Sequence, residues 1–289
     1  MNDERQFREG QVTLVGILNL TPDSFSDGGR FVSSEGLLDG AAAVDAGCAL
    51  VRDGADVLDV GGESTRPGAA AVSVGEEIRR TAPALEALAK ACDAPLSIDT
   101  RRFEVAEAAL EAGATILNDV SGLRHDPRLA ELAARAEATL IVGHLRGEPA
   151  TMQRAPRFQD VVSEVAAELA DSVAIARAAG VPDERIVVDP GIGFGKTLEH
   201  NLALLTRLGE IREALGLPIL VGTSRKSFLG RLGGAEVPGD RGAATQAADA
   251  IAVYQGADAL RVHDVAAAAQ TARVASALRA ARDAGEGGS

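Results

Sequence analysis

Arg261 interrupts an apolar run, Ala259-Leu260-Arg261-Val262, and His263 follows it two residues later. A charge inside a buried strand is costly unless something pairs with it. A spacing of two puts both side chains on one face of an extended segment. The pair therefore points to a site. Other apolar runs close on polar groups in the same way. Asn19 follows Leu14–Leu18, Asp59 ends a second run, Asp99-Thr100 a third, and Asn118-Asp119 a fourth. His144, Asp189-Pro190-Gly191 and Gly222-Thr223-Ser224-Arg225-Lys226-Ser227 complete the series.

Two chemistries are present. Asp99, Asn118 and Asp189 are rich in acceptors and suit a planar heterocycle that presents adjacent N–H donors. Lys226, Arg261, His263 and Asn19 offer donors to an anion or a metal-held phosphate. A short helix opening at Ser224–Ser227 would add backbone amides that favour a carboxylate or phosphate. Singly, each residue has a plainer reading: Asp99 or Thr100 as a helix cap, Asn118-Asp119 as turn formers, Lys226 as a solvated helix residue. His125 and His200 read as surface or capping residues. In the first loop, Asn19–Gly29, Asp23 and Asp27 are candidate metal ligands or bases, and Gly28-Gly29 is a candidate hinge.

Eight strand-like runs must position these groups. They begin near Val12, Asp56, Pro95, Thr115, Thr139, Ile186, Pro218 and Ala259, and each is followed by an Ala-, Leu- and Glu-rich stretch with helical spacing. The helical stretches are Gly36–Arg52, Gly75–Ala91, Arg102–Ala112, Pro127–Ala136, Phe158–Ala179, Leu198–Leu215, Arg241–Gln255 and Val265–Arg282. Several end in a small-residue turn, as at Asp53-Gly54-Ala55 and Ala112-Gly113-Ala114, where glycine closes the helix. Strict alternation with short connections predicts a parallel sheet with right-handed crossovers. Eight units fit a single-domain (β/α)8 TIM barrel over residues 1–280, with 281–289 a disordered tail. A doubly wound open sheet would normally use fewer strands. In a barrel the polar strand ends converge on one mouth.

The 289 residues carry 29 Lys+Arg against 42 Asp+Glu, a net charge of −13, which argues against nucleic acid or an anionic membrane as partner. An anionic substrate would need a local basic cluster. The charged N-terminus lacks an apolar signal core and no run approaches a membrane span, so a cytoplasmic enzyme is expected. Cys48 and Cys92 form no metal or redox motif and read as small buried residues. Pro190–Thr197 imitates a phosphate-binding loop but has Pro190 where glycine is required. Gly222-Thr223-Ser224-Arg225-Lys226 lacks the closing glycine of a nucleophile elbow. No zinc or dinucleotide pattern is present.

The stretches GILNLTPDSFSDGG, DVGGESTRPGA, SIDT, LNDVSG, HLRGEPATMQ, VVDPGIGFGKTLEHN, VGTSRKSFLG and RVHDV run in order over about residues 12–278 and resemble the dihydropteroate synthase family. These are folate-pathway transferases targeted by sulfonamides. The resemblance implies a (β/α)8 barrel, usually a homodimer. It also implies Mg²⁺-dependent condensation of 6-hydroxymethyl-7,8-dihydropterin diphosphate with 4-aminobenzoate, giving 7,8-dihydropteroate and diphosphate by a dissociative route. Carried onto this chain, Asp189, Asn118 and Asp99 would bind the pterin edge, and Lys226 its carbonyl. Arg261 would lie against the ring and, with His263 and Asn19, hold the diphosphate, Asn19 also contacting Mg²⁺. Ser227 would take the aminobenzoate carboxylate, and Phe25, Thr65, Arg66 and Pro67 would line that substrate's pocket. Asp27 is expected to pair with Arg66 when the two loops close, which would give both a catalytic role. A pterin-dependent methyltransferase would not need the SRKS and RVHDV anion cluster, and a catalytically silent pterin-binding paralogue would not need the full set of loop residues.

Overall fold

The computed structural model describes residue 7 and residues 10–21, 39–64 and 72–286. Strands and helices alternate as β1 (Thr13–Asn19), α1 (Gly40–Arg52), β2 (Val57–Gly61), α2 (Val74–Ala91), β3 (Leu96–Asp99), α3 (Phe103–Glu111), β4 (Ile116–Asp119) and α4 (Arg128–Arg135). They continue as β5 (Thr139–Gly143), α5 (Val161–Ala178), β6 (Ile186–Asp189), α6 (Leu198–Thr206), α7 (Leu208–Leu215), β7 (Leu220–Val221), α8 (Ser227–Gly233), α9 (Gly242–Tyr254), β8 (Ala259–Val262) and α10 (Val265–Glu286). The strands pair in parallel in the order β6-β5-β4-β3-β2-β1-β8-β7. A parallel bridge between Val188 and Ile219, with the Val188 amide donating to the Pro218 carbonyl at 2.9 Å, brings β6 back to β7. The sheet thus closes as the (β/α)8 barrel that the alternation predicts.

The strands are apolar on both faces because helices cover the outside and side chains fill the inside. Val15, Val57, Ile116, Ile141, Val187, Leu220 and Ala259, each on a different strand, form an inner cluster with Phe7 packed against it. A larger cluster, including Leu14, Leu58, Ile98, Leu117, Leu140 and Leu260, lies between barrel and helices. Each such side chain contributes roughly 1.5–3 kcal/mol by leaving water. Two residues beyond the inner set, the side-chain period of two delivers Asp59, Asn118, Asp189 and Arg261 into the barrel. The apolar base fixes the register of the polar mouth.

Three expectations change. The helical stretch read as Leu198–Leu215 is two helices, because Arg207 leaves helical geometry (φ −118°, ψ 27°) and its guanidinium is held by Asp160 at 2.9 Å and Glu210 at 2.7 Å. α10 continues to Glu286, so residues 281–286 are helical rather than tail. Ala280-Ala281-Arg282-Asp283-Ala284 contains no helix breaker, and Arg282 ties that end to α9 by lying 4.6 Å over the Tyr254 ring. Cys48 and Cys92 are only half-buried, and their sulfurs meet 3.2 Å apart between α1 and the end of α2. Among the described residues no helix is long and apolar enough to cross a membrane.

Candidate active site

At the C-terminal ends of the strands is a cavity of about 290 Å³, whose lining includes Asn19, Asp99, Asn118, Asp189, Lys226 and Arg261. Its floor is built around Asp59, which is fully buried on β2. Asp59 accepts from Ser97 Oγ at 2.5 Å, Asn118 Nδ2 at 3.1 Å and Arg261 Nε at 2.6 Å. The other arm of the Arg261 guanidinium donates to Asp99 Oδ2 at 2.7 Å. Burial disfavours the guanidinium charge, but Asp59 and Asp99 outweigh it and hold Arg261 above its ordinary range. Burial also pushes the Asp99 carboxyl up to about 7, against the pull of Arg261. Asp99 Oδ1 is buried without a hydrogen bond among the described residues. A buried acceptor left this way is expected to meet a donor from a ligand.

On the opposite wall, burial raises the Asp189 carboxyl, and Lys226 is the foremost charge resisting it. Asp189 accepts the Gly191 amide at 2.7 Å. The Lys226 ammonium sits 4.4 Å over the Phe194 ring and donates to the Ile192 carbonyl. Burial brings it down to about 8 against the attraction of Asp189. Two backbone positions make this possible. Gly193 is left-handed (φ +84°), and a Cβ there would stand 2.8 Å from Lys226 Cδ. Arg225, also left-handed (φ +59°), turns the chain immediately before Lys226, and Thr245 Oγ1 accepts its amide at 3.1 Å.

The rim supplies further donors. Ser224 Oγ accepts the His263 amide at 3.3 Å and shares a hydrogen bond with His263 Nδ1 at 2.9 Å. Ser227 opens α8 and lines the cavity. The site joins acceptors for a planar N–H edge to a cluster of cationic and neutral donors.

Residues 15–263 match the family described as pterin binding enzyme. The chain belongs to the pterin-binding enzyme family. Within that family it is 46% identical over 219 residues to a dihydropteroate synthase of Synechocystis, covering 76% of this chain and 73% of the relative. The dihydropteroate synthase of Xanthomonas albilineans solved with 4-aminobenzoic acid superposes with TM-score 0.84 at 43% identity, covering 93% of this chain and 94% of that one. The Yersinia pestis dihydropteroate synthase in a sulfonamide complex superposes with TM-score 0.86 at 38% identity, covering 93% and 95%.

In this pterin-binding enzyme Asn19, Asp99, Asn118, Asp189, Lys226, Ser227, Arg261 and His263 all line the one cavity, as the strand-end pattern predicts. Phe25, Asp27, Thr65, Arg66 and Pro67 lie outside the described residues. Asp59 stands among the polar strand ends in the sequence but was given no role in the site. The signal was available, since Asp59 interrupts Val57-Leu58-Asp59-Val60 as Arg261 interrupts its own strand, and two lone opposite charges in neighbouring layers imply each other. Lys196, only 3% exposed, was also missed, because a lysine in Gly193-Phe194-Gly195-Lys196 carries no apolar context to mark it as buried.

Proposed function

We propose that the chain is a dihydropteroate synthase, a transferase that joins 6-hydroxymethyl-7,8-dihydropterin diphosphate to 4-aminobenzoate in folate biosynthesis. The observation that carries this reading is the gathering in one cavity of the buried acceptors Asp99 and Asp189 with the donors Lys226, Arg261 and His263. Asp189, Asp99 and Asn118 bind the heterocycle edge, and Lys226 donates to its ring carbonyl. Arg261 lies against the ring and, with His263 and Asn19, receives the diphosphate. Ser227, with Phe25, Thr65, Arg66 and Pro67, takes 4-aminobenzoate. Sulfonamides compete there as analogues of that substrate.

The reaction breaks the C–O bond between the pterin methylene and diphosphate, and the amine lone pair then forms a C–N bond to the same carbon. A dissociative order suits these residues. The leaving electron pair departs with diphosphate toward Arg261 and His263, and the cation is delocalised into a ring whose N–H groups face carboxylates. Preorganised charge of this kind stabilises the separated state without a general base. The amine proton is lost after C–N bond formation.

Mg²⁺ fits this donor set in one way. Mg²⁺ keeps several waters and is usually held by one or two protein oxygens plus substrate phosphates. Among the described residues no group of three or more His, Cys, Asp or Glu side chains could hold a metal ion. The Asn19 carboxamide, which lines the cavity, would be the oxygen donor at the anion end. Mg²⁺ would therefore arrive with the diphosphate and supply charge neutralisation there. The same reading takes the enzyme to be cytoplasmic and homodimeric. The exposed apolar Ile251, Val274 and Leu278 on α9 and α10 support an interface through the last helices, and a monomer by light scattering would overturn it. The activity is tested by diphosphate release that depends on 4-aminobenzoate.

A further inference from the structure

Behind Asp189 lies a buried chain of charged groups that the proposed reaction does not use. Lys196 Nζ donates to the Phe194 carbonyl at 3.0 Å and to His144 Nδ1 at 3.0 Å. With Nδ1 accepting, the ring proton of His144 is on Nε2 and is donated to Glu168 Oε2 at 3.1 Å. Glu168, on α5, is also paired with Arg124 at 2.7 Å and with Arg146. His144 and Lys196 are each 3% exposed. The network joins the end of β5, the helix α5 and the turn after β6.

This turn shapes the pterin pocket. Gly191 is left-handed (φ +67°); a Cβ there would drive into the His144 carbonyl and stand 3.3 Å from Lys196 Nζ. Phe194, whose carbonyl Lys196 holds, is the ring over which Lys226 sits. We infer that Lys196 is a positioning residue for the heterocycle: it fixes the Gly191–Lys196 turn beneath Phe194 and supplies a second positive charge behind Asp189. The inference rests on the proposed pterin-binding role of Asp189 and names a residue beyond it.

The electrostatic part follows from what faces each group. Asp189 is faced by Lys226 before α8, by Lys196 from its own loop and by Arg261 from β8. Lys196 is faced by Asp189, Lys226, Glu168 and Arg146, and touches His144, whose ring burial keeps neutral down to about 4. Burial brings Lys196 down to about 7, and below that pH its ammonium faces Asp189, whose carboxyl burial raises. A positive neighbour favours the carboxylate. Removing it moves the protonation of Asp189 upward, and a protonated Asp189 no longer offers two acceptors to adjacent N–H groups.

The experiment is calorimetric titration of the full-length protein with 6-hydroxymethylpterin between about pH 5 and pH 9, for wild type, Lys196→Met and Lys196→Gln. Lys196→Met keeps the stem and deletes both charge and donor. Lys196→Gln retains a donor without charge. Both variants are expected to show the acid limb of pterin binding moved upward by about one pH unit, a tenfold loss on that limb. Lys196→Met should lose further affinity at every pH because the turn is released, whereas Lys196→Gln recovers part of that loss. The KM for 4-aminobenzoate should stay within about twofold in both, since nothing in its pocket is touched. Wild-type affinity with an unshifted acid limb in either folded variant overturns the inference. An equal loss at all pH values with both KM values raised would mean a merely structural lysine and also overturns it. A wild-type protein that binds no pterin overturns the reading of the site itself, a separate result.

Discussion

Arg261 on β8 and Asp59 on β2 meet inside the barrel, Nε to Oδ2 at 2.6 Å, although 202 residues separate them in the chain. The strands that carry them both pair with β1, so the contact spans one intervening strand. Asp59 has no exposure and spends its oxygens on Arg261, Ser97 and Asn118. It orients the guanidinium of Arg261 and the carboxamide of Asn118, which line the cavity. Asp59→Asn keeps the shape and removes the charge, so Arg261 loses one of its two carboxylate partners and is held by Asp99 alone. Turnover is expected to fall about 100-fold through this loss of orientation. Unfolding in denaturant should show a loss of about 3–5 kcal/mol, as when a buried ion pair loses one member. Stability and turnover both within error of wild type would show that Asp59 positions nothing.

Lys226 and Arg261 separate two effects. Lys226→Ala removes a donor whose fixed partners among the described residues are a carbonyl and a ring face, so turnover should drop about 100-fold or more with little change in melting temperature. Arg261→Ala should lose at least as much turnover and also stability, since Asp59 and Asp99 are left as buried charges. Steady-state rates beside thermal melts make the comparison. Near-wild-type rates in both would mean that the mouth has been misassigned.

Asp249 on α9 gives a pH prediction independent of substrate. Its Oδ1 accepts from Thr223 Oγ1 at 2.5 Å, its Oδ2 is buried without a partner among the described residues, and burial pushes it up to about 7. The folded state thus binds this proton more tightly than the unfolded chain, whose carboxyl titrates near about 4. Its contribution is fully present below that pH and is lost as pH rises from about 4 to about 7. Asp249→Asn should remove that part of the slope and be the more stable protein at pH above about 7. Urea unfolding at several pH values tests it, and parallel curves for the two proteins would contradict the assignment.

Gly191 tests the turn itself. Its φ of +67° strains any other residue, and an added Cβ would overlap the His144 carbonyl. Gly191→Ala is expected to cost more than 1 kcal/mol and to abolish pterin binding, whereas Gly216→Ala, left-handed but with nothing within 4 Å, should cost strain alone. Equal melting temperatures for the two variants would argue that the turn is not tightly packed.

Much of this was legible in the sequence. Arg261, Asp189 and Asn118 stand out because each breaks an apolar run, and the alternation of strands and helices gathers them at one end. The boundary between α6 and α7 was not legible, since Arg207 is a good helix former and its departure is imposed by Asp160 on a distant helix start. Lys196 was hidden for a related reason. Nothing local shows that a lysine is buried when its partners, His144 and Glu168, come from two other elements. The Cys48–Cys92 contact is tertiary in the same sense, created where Gly47 lets α1 approach Leu88 on α2.

The central claim is amine-dependent displacement of diphosphate from a pterin methylene. It is tested most directly by following diphosphate release from 6-hydroxymethyl-7,8-dihydropterin diphosphate by the purified protein with Mg²⁺, with and without 4-aminobenzoate. The account predicts multiple turnovers with the amine, stoichiometric formation of 7,8-dihydropteroate, and loss of both products in Lys226→Ala. Release that is absent, or that proceeds at the same rate without the amine and yields no dihydropteroate, would contradict it.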